Sequence, residues 1–164
     1  MDCPNQPVIN RGFGGSAISH SIHYTPRIVL PYKPKMIVFF AGTNDIASGK
    51  SPEAVSDDWK AFVGGIKEKL PQTKFAYLAI TPAPSRWSKL PEVKKANGLI
   101  RDWCLATPGL HFVETYSYFT TPEGGPRPDL FLNDQLHLNE KGYDIWRKLV
   151  APLLPWSLKD IRNP

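Results

Sequence analysis

Asp134 and His137 stand three residues apart in the run Leu130-Phe131-Leu132-Asn133-Asp134-Gln135-Leu136-His137-Leu138-Asn139. Imidazole titrates near neutral pH, and a nearby carboxylate can fix its tautomer and hold the ring as a general base. Taken alone, Asp-x-x-His reads equally well as a surface histidine bonded to its neighbour at a helix entry. Two upstream stretches change that balance. Gly42-Thr43-Asn44-Asp45 places an amide side chain directly after an apolar run, and Gly12-Phe13-Gly14-Gly15-Ser16 leaves backbone amides approachable. The Gly15 N–H and the Asn44 amide, converging on one point, would make an oxyanion hole for a carbonyl under attack. By itself Gly42-Thr43-Asn44-Asp45 reads as a plain turn. Jointly, and in this order, they supply the base, the orienting carboxylate and the oxyanion donors of an acyl-transfer site.

Positioning them requires a scaffold, and the hydrophobic pattern supplies one. Met36-Ile37-Val38-Phe39-Phe40-Ala41 and Phe75-Ala76-Tyr77-Leu78-Ala79-Ile80 are continuous apolar runs, the pattern of central parallel strands buried on both faces. Leu110-His111-Phe112-Val113 predicts a third strand, and Val8-Ile9-Asn10 a short β-type run before the glycines. A short helix is expected from Ser16 to His23, with Pro26 and Pro31 preventing a long one. Ser51 caps and Pro52 starts a helix to about Leu70, with Val55, Trp59, Phe62, Val63 and Ile66 on one stripe. Another spans about Pro91 to Ala106, using Val93, Ala96, Leu99, Ile100 and Trp103. Asn139 caps a last helix whose Tyr143, Ile145, Trp146, Leu149 and Val150 face a core. Strands alternating with helices imply an α/β fold with a parallel sheet between helical layers, whose ligands bind beyond the carboxyl ends of the strands. The loops Gly12–Ser16, Gly42–Asp45, Thr81–Trp87 and Asp134–His137 all fall at that edge.

The blocks Asn10-Arg11-Gly12-Phe13-Gly14-Gly15-Ser16, Gly42-Thr43-Asn44-Asp45 and Asp134-Gln135-Leu136-His137-Leu138-Asn139 resemble three of the blocks of the SGNH (GDSL-type) hydrolase family. Thr81-Pro82-Ala83-Pro84-Ser85-Arg86-Trp87 is similar to the loop after the fourth strand in one bacterial branch of it. The resemblance spans nearly the whole chain, read as one domain over 1–164. It implies a flavodoxin-like three-layer α/β/α sandwich and hydrolysis of acyl or acetyl esters. Gly15 and Asn44 would then be the oxyanion donors, His137 the general base and Asp134 its orienting carboxylate. Neither metal nor organic cofactor is implied.

One block has no counterpart. The family's first strand ends in Gly-(Asp or Ser)-Ser, whose serine is the nucleophile, and no stretch here matches it. That strand lies in the family between the strands equivalent to Val8–Asn10 and Met36–Ala41. Its absence implies an altered sheet, or an open edge that a neighbouring molecule fills, giving a homo-oligomer. Ser16 is the nearest substitute nucleophile, though its place beside a presumed donor favours a helix cap instead. A non-catalytic module that keeps the pocket, or an inactive truncated form, is therefore the alternative to an esterase. A nucleotide-binding domain ranks last, for want of a phosphate-cradling loop.

Other residues are weighed in the same way. Trp87 lines a substrate pocket or belongs to the core. Arg86 meets an anionic substrate group or ties to a neighbouring loop. His20 and His23 lack a third ligand and predict packing, not metal binding. Asp57 and Asp58 are expected to favour the helix dipole and nothing more. The 164 residues suffice for one domain with a core, and 41% apolar with 21% charged residues is a globular balance. The net charge of +5 is scattered, which argues against nucleic acid as a partner. No run reaches the roughly 18 apolar residues of a membrane span. The seventeen prolines lie mostly between the periodic segments, as loops require. Cys3 and Cys104 make neither a disulfide framework nor a zinc site. Met1–Pro7 is polar and proline-broken, unlike a signal peptide, which leans toward the cytoplasm without deciding the compartment.

Overall fold

The computed structural model describes residues 8–154. The Met1–Pro7 opening and Cys3 lie outside them. Three parallel strands form one sheet in the order β1 (Met36–Phe39), β2 (Lys74–Leu78), β3 (Leu110–Val113). Met36 pairs with Lys74 at the start of one ladder and Phe75 with Leu110 at the start of the other. Successive side chains point to opposite faces, and the two cores follow that alternation. Ile37, Phe39, Phe75, Tyr77, Leu110 and Phe112 pack on one face beneath α1 (Ile18–Ile28), α3 (Pro52–Lys69) and α4 (Leu90–Ala106). Met36, Ala76, Leu78 and Val113 pack on the other, with α5 (Glu140–Val150) and the loops before it. The result is an α/β/α sandwich.

Local chemistry explains most of the helices. Ser51 accepts from the Ala54 amide, Pro52 opens α3, and all five stripe residues named above are buried. In α4, Leu99 is exposed while Val93, Ala96 and Ile100 are buried. Asn139 caps α5 by accepting from Gly142 N at 3.2 Å, and Trp146 and Val150 are buried. Tyr143 departs from its expected inward position and is exposed, its ring edge-on to Trp146.

Three further expectations are corrected. Val8–Asn10 forms no strand, and all three residues are exposed. A strand needs a partner, and among the described residues none adjoins this segment. Pro26 lies inside α1 instead of ending it. Its missing N–H removes one bond only two residues before the helix stops, and Pro31 sits in the short 3-10 turn that follows. Finally, β1 is an edge strand, not a central one. Among the described residues nothing pairs with its far side, and Val38 and Phe40 are exposed.

Candidate active site

The Asp134–His137 loop is fixed from both ends. An isolated bridge joins Phe131 to Leu138, Leu132 N donates to His137 O at 2.7 Å, and Gln135 turns the chain at φ 55°. Within the turn, Asp134 Oδ1 accepts from the amides of Leu136 (2.9 Å) and His137 (3.0 Å). Its Oδ2 lies 2.6 Å from His137 Nδ1. The His137 ring, followed by these two amides, holds the Asp134 pKa down at about 2. A carboxylate ionised throughout the neutral range bonds an N–H on Nδ1 and leaves Nε2 as the basic nitrogen. The His137 side chain is 66% exposed, so Nε2 is open to a reactant. Asn139 anchors the loop from below, donating to Asp129 O and Phe131 O at 2.9 and 3.1 Å.

After β1 the chain turns at Gly42 (φ 111°) into the short helix α2 (Thr43–Ala47). A Cβ on Gly42 would lie 2.7 Å from Ile80 Cδ1, so glycine serves both the turn and the packing there. Asn44 Nδ2 donates one hydrogen to Ser16 O at 3.0 Å, which brings the Gly15–Ser16 turn against the Asn44 amide. Gly15 itself turns at φ 71°. Next door, buried Asp45 accepts from Ile18 N at 3.2 Å and from Lys50 at 3.3 Å, pinning the start of α1 to the same loop.

Arg86 ties this cluster to the next. It donates to Thr43 Oγ1 and to Asn44 Oδ1, both at 2.9 Å, and its burial lowers the guanidinium pKa. Holding the Asn44 carbonyl oxygen fixes which way the amide faces, so its N–H groups turn toward Ser16. One residue earlier, Ser85 N donates to Gln135 O at 3.0 Å, inside the Asp134–His137 turn. A chain of hydrogen bonds therefore links all four expected loops, from Ser16 through Asn44 and Arg86 to Gln135. Trp87 is half-buried and lines a narrow cleft with Thr43, Thr81, Pro82 and Arg86.

The side chains of the remaining candidates take no part in these hydrogen bonds. Ser16 is not the cap of α1, since Ala17 holds that position, and its carbonyl is what meets Asn44. Among the described residues no serine hydroxyl bonds the His137 ring. His20 Nδ1 accepts from Ala17 N, and His23 packs edge-on to Tyr24. Asp57 and Asp58 do more than favour a dipole: Asp57 pairs with Lys60 at 3.0 Å, and Asp58 with Lys50.

One supporting residue escaped the sequence reading. Asn97, inside α4, accepts from Ile80 N at 2.8 Å and donates to Ile80 O at 3.0 Å, clamping the chain where it enters the Thr81–Trp87 loop. An asparagine flanking the buried stripe of a helix was the available signal, since such a residue needs a partner to offset its poor helix propensity.

Known proteins share this sequence pattern and fold. The chain is 29% identical over 156 residues to the bovine platelet-activating factor acetylhydrolase IB subunit alpha1, covering 93% of the chain and 66% of that relative's length. The structure superposes on a GDSL-like lipase from Bacteroides thetaiotaomicron with a TM-score of 0.78 at 21% identity, covering 88% of this chain and 74% of that one. A lipase/acylhydrolase from Enterococcus faecalis gives 0.68 at 19%, covering 83% and 71%. No described helix is long and apolar enough to cross a membrane. The GDSL-like lipase/acylhydrolase family matches residues 2–145, and the chain belongs to that family.

Proposed function

We propose that the chain carries the acid–base and oxyanion part of a carboxylic-ester hydrolase. The observation that carries this reading is the 2.6 Å contact between His137 Nδ1 and Asp134 Oδ2, with the rest of the ring open. In this reading His137 Nε2 takes the proton of the attacking hydroxyl as it bonds to the ester carbonyl. Asp134 stabilises the imidazolium that results. The Gly15 N–H and the second hydrogen of Asn44 Nδ2 receive the carbonyl oxygen as it gains charge. His137 then returns its proton to the departing alcohol. Trp87 and Arg86 line the approach, Arg86 chiefly by aiming Asn44. The substrate is a small carboxylic ester, and a short acyl group is the natural first choice because the bovine relative is named an acetylhydrolase.

The attacking oxygen belongs to a substitute serine, of which Ser16 is the nearest, or to a water. A binding module that keeps the pocket without turnover is the competing reading, favoured by the absence of a Gly-x-Ser strand-end block from the sequence. Hydrolysis of p-nitrophenyl acetate by wild type, His137→Ala and Ser16→Ala separates them. An esterase loses roughly 10²–10⁴-fold in rate with His137→Ala. A loss of the same size in Ser16→Ala would name that serine as the nucleophile. Equal rates in wild type and His137→Ala would refute catalysis by the pair, and no turnover at all would favour a binding module or an inactive truncated form.

A further inference from the structure

Positive charge that is scattered along the chain is partly gathered by the fold. Lys33, Lys35, Lys69 and Lys74 come from two separate loops and line one cleft of about 480 Å³ at the starting ends of β1 and β2. Among the described residues no carboxylate lines the cleft with them. Lys69 pairs only with its exposed neighbour Glu68, at 3.2 Å. The walls are stiff. The Thr73 hydroxyl donates to Pro34 O at 2.8 Å, and Lys74 N donates to Lys35 O at 3.0 Å, so the loop before β1 is tied to the loop before β2. Pro34 and Pro71 restrict the backbone of each loop. Lys33 holds φ at 45°, a left-handed conformation that glycine takes without strain and lysine does not. Met36, Leu70, Pro71 and Leu153 supply apolar surface between the charges.

We propose that this cleft binds a small amphipathic anion, a phosphate monoester whose head meets the lysines and whose apolar body meets Met36, Leu70 and Leu153. Like charges gathered without a counter-charge repel one another, and an anion among them turns that repulsion into attraction. A phosphate monoester carries about −1.5 to −2 at neutral pH, against one charge for a carboxylate, and so answers four lysines better. Ammonium groups contact phosphate as point charges and need no fixed fork geometry, which suits amines arriving from two walls. Lysine stems lie along apolar surface while their heads turn toward the ligand, and the volume is that of a small-molecule site. The cleft sits at the opposite ends of the strands from the Gly42 turn and the Thr81–Trp87 loop. The proposal is therefore independent of the ester-hydrolase reading.

Met36 reports on the cleft from inside it. The chain has two methionines, so carbon-13 methyl labelling gives a simple spectrum, in which Met36→Leu assigns the signal. Titration with phenyl phosphate should shift the Met36 methyl saturably. Inorganic phosphate, without the apolar body, should bind about tenfold more weakly. Lys35→Gln combined with Lys74→Gln should weaken phenyl phosphate by about tenfold or more with an unchanged melting temperature. Lys60→Gln combined with Arg101→Gln removes the same charge elsewhere and should bind as wild type. Vesicles of phosphatidylcholine with and without phosphatidic acid distinguish the source of the phosphate. Sedimentation with the acidic vesicles that the cleft variant loses assigns it to a lipid headgroup, and no sedimentation assigns it to a soluble ester. A Met36 methyl that phenyl phosphate leaves in place would overturn the site, as would a shift that the cleft variant keeps. Equal weakening in both double variants would also overturn it, with net charge as the cause.

Discussion

Replacing Asn97 by alanine tests whether a single side chain holds the exit of β2. Asn97 makes two hydrogen bonds, both to the backbone of Ile80, which is fully buried. A buried N–H or C=O left without a partner costs roughly 1–3 kcal/mol. Asn97 is half-buried, so water can partly replace the lost groups and the lower part of that range applies. Alanine also returns about 0.5 kcal/mol through its better helix propensity. The expected net loss is about 1.5–2.5 kcal/mol, equivalent to roughly 3–10 °C in melting temperature for a chain of this size. Urea unfolding followed by tryptophan fluorescence measures the free energy, and amide exchange at Ile80 and Thr81 locates it. Asn97→Asp keeps the acceptor for Ile80 N but sets a carboxylate against Ile80 O, so it should not rescue. A loss below about 0.5 kcal/mol in the alanine variant, the ordinary range of surface substitutions, would refute the clamp.

Two further outcomes follow from the loops. Gly142 lies in α5, where a Cβ would come within 2.6 Å of the Leu130 carbonyl oxygen, a backbone atom that cannot swing aside. Gly142→Ala should therefore destabilise by about 1–3 kcal/mol despite the helix preference for alanine, and a stabilised variant in thermal melts would contradict that contact. Asp134 should titrate by carbon-detected NMR near pH 2, below its ordinary value of 3.8, and move back toward that value in His137→Ala. Its folded pKa is depressed, so its contribution to stability is complete above about pH 3.8 and disappears as pH falls through about 2. An inflection near 3.8 in wild type would mean that the His137 contact does not form.

The sheet was legible where burial writes a continuous apolar run. Phe75–Ile80 and Leu110–Val113 were found at nearly their observed bounds because both lie against helices on two faces. Met36–Ala41 has the same composition and gave the wrong environment: a run suited to a central strand occupies an edge, and side-chain type alone does not count neighbours. Val8–Asn10 failed for the related reason that β propensity without a partner strand makes no strand. In the candidate site, the residue types and the order of the loops were readable, and Asp134 and His137 meet as their spacing suggested. What stayed hidden was the wiring. Arg86 bonding Thr43 and Asn44, and Asn97 clamping Ile80, join residues far apart in sequence through side chains whose targets only the fold selects.

That wiring has a kinetic consequence. The bonds that join the four loops span long stretches of chain: 28 residues from Ser16 to Asn44, 42 from Asn44 to Arg86, and more again from Ser85 to Gln135. Closing such loops is entropically costly until the strands and helices between them have docked. The helices, by contrast, rest on local contacts and the strand ladders on the apolar core, so both should form first. Refolding should then regain far-ultraviolet signal before the loop cluster around His137 and Asp134 is held in place, and gentle heating should open that cluster before the core yields. The loop cluster is thus expected to be the last part to assemble and the first to come undone.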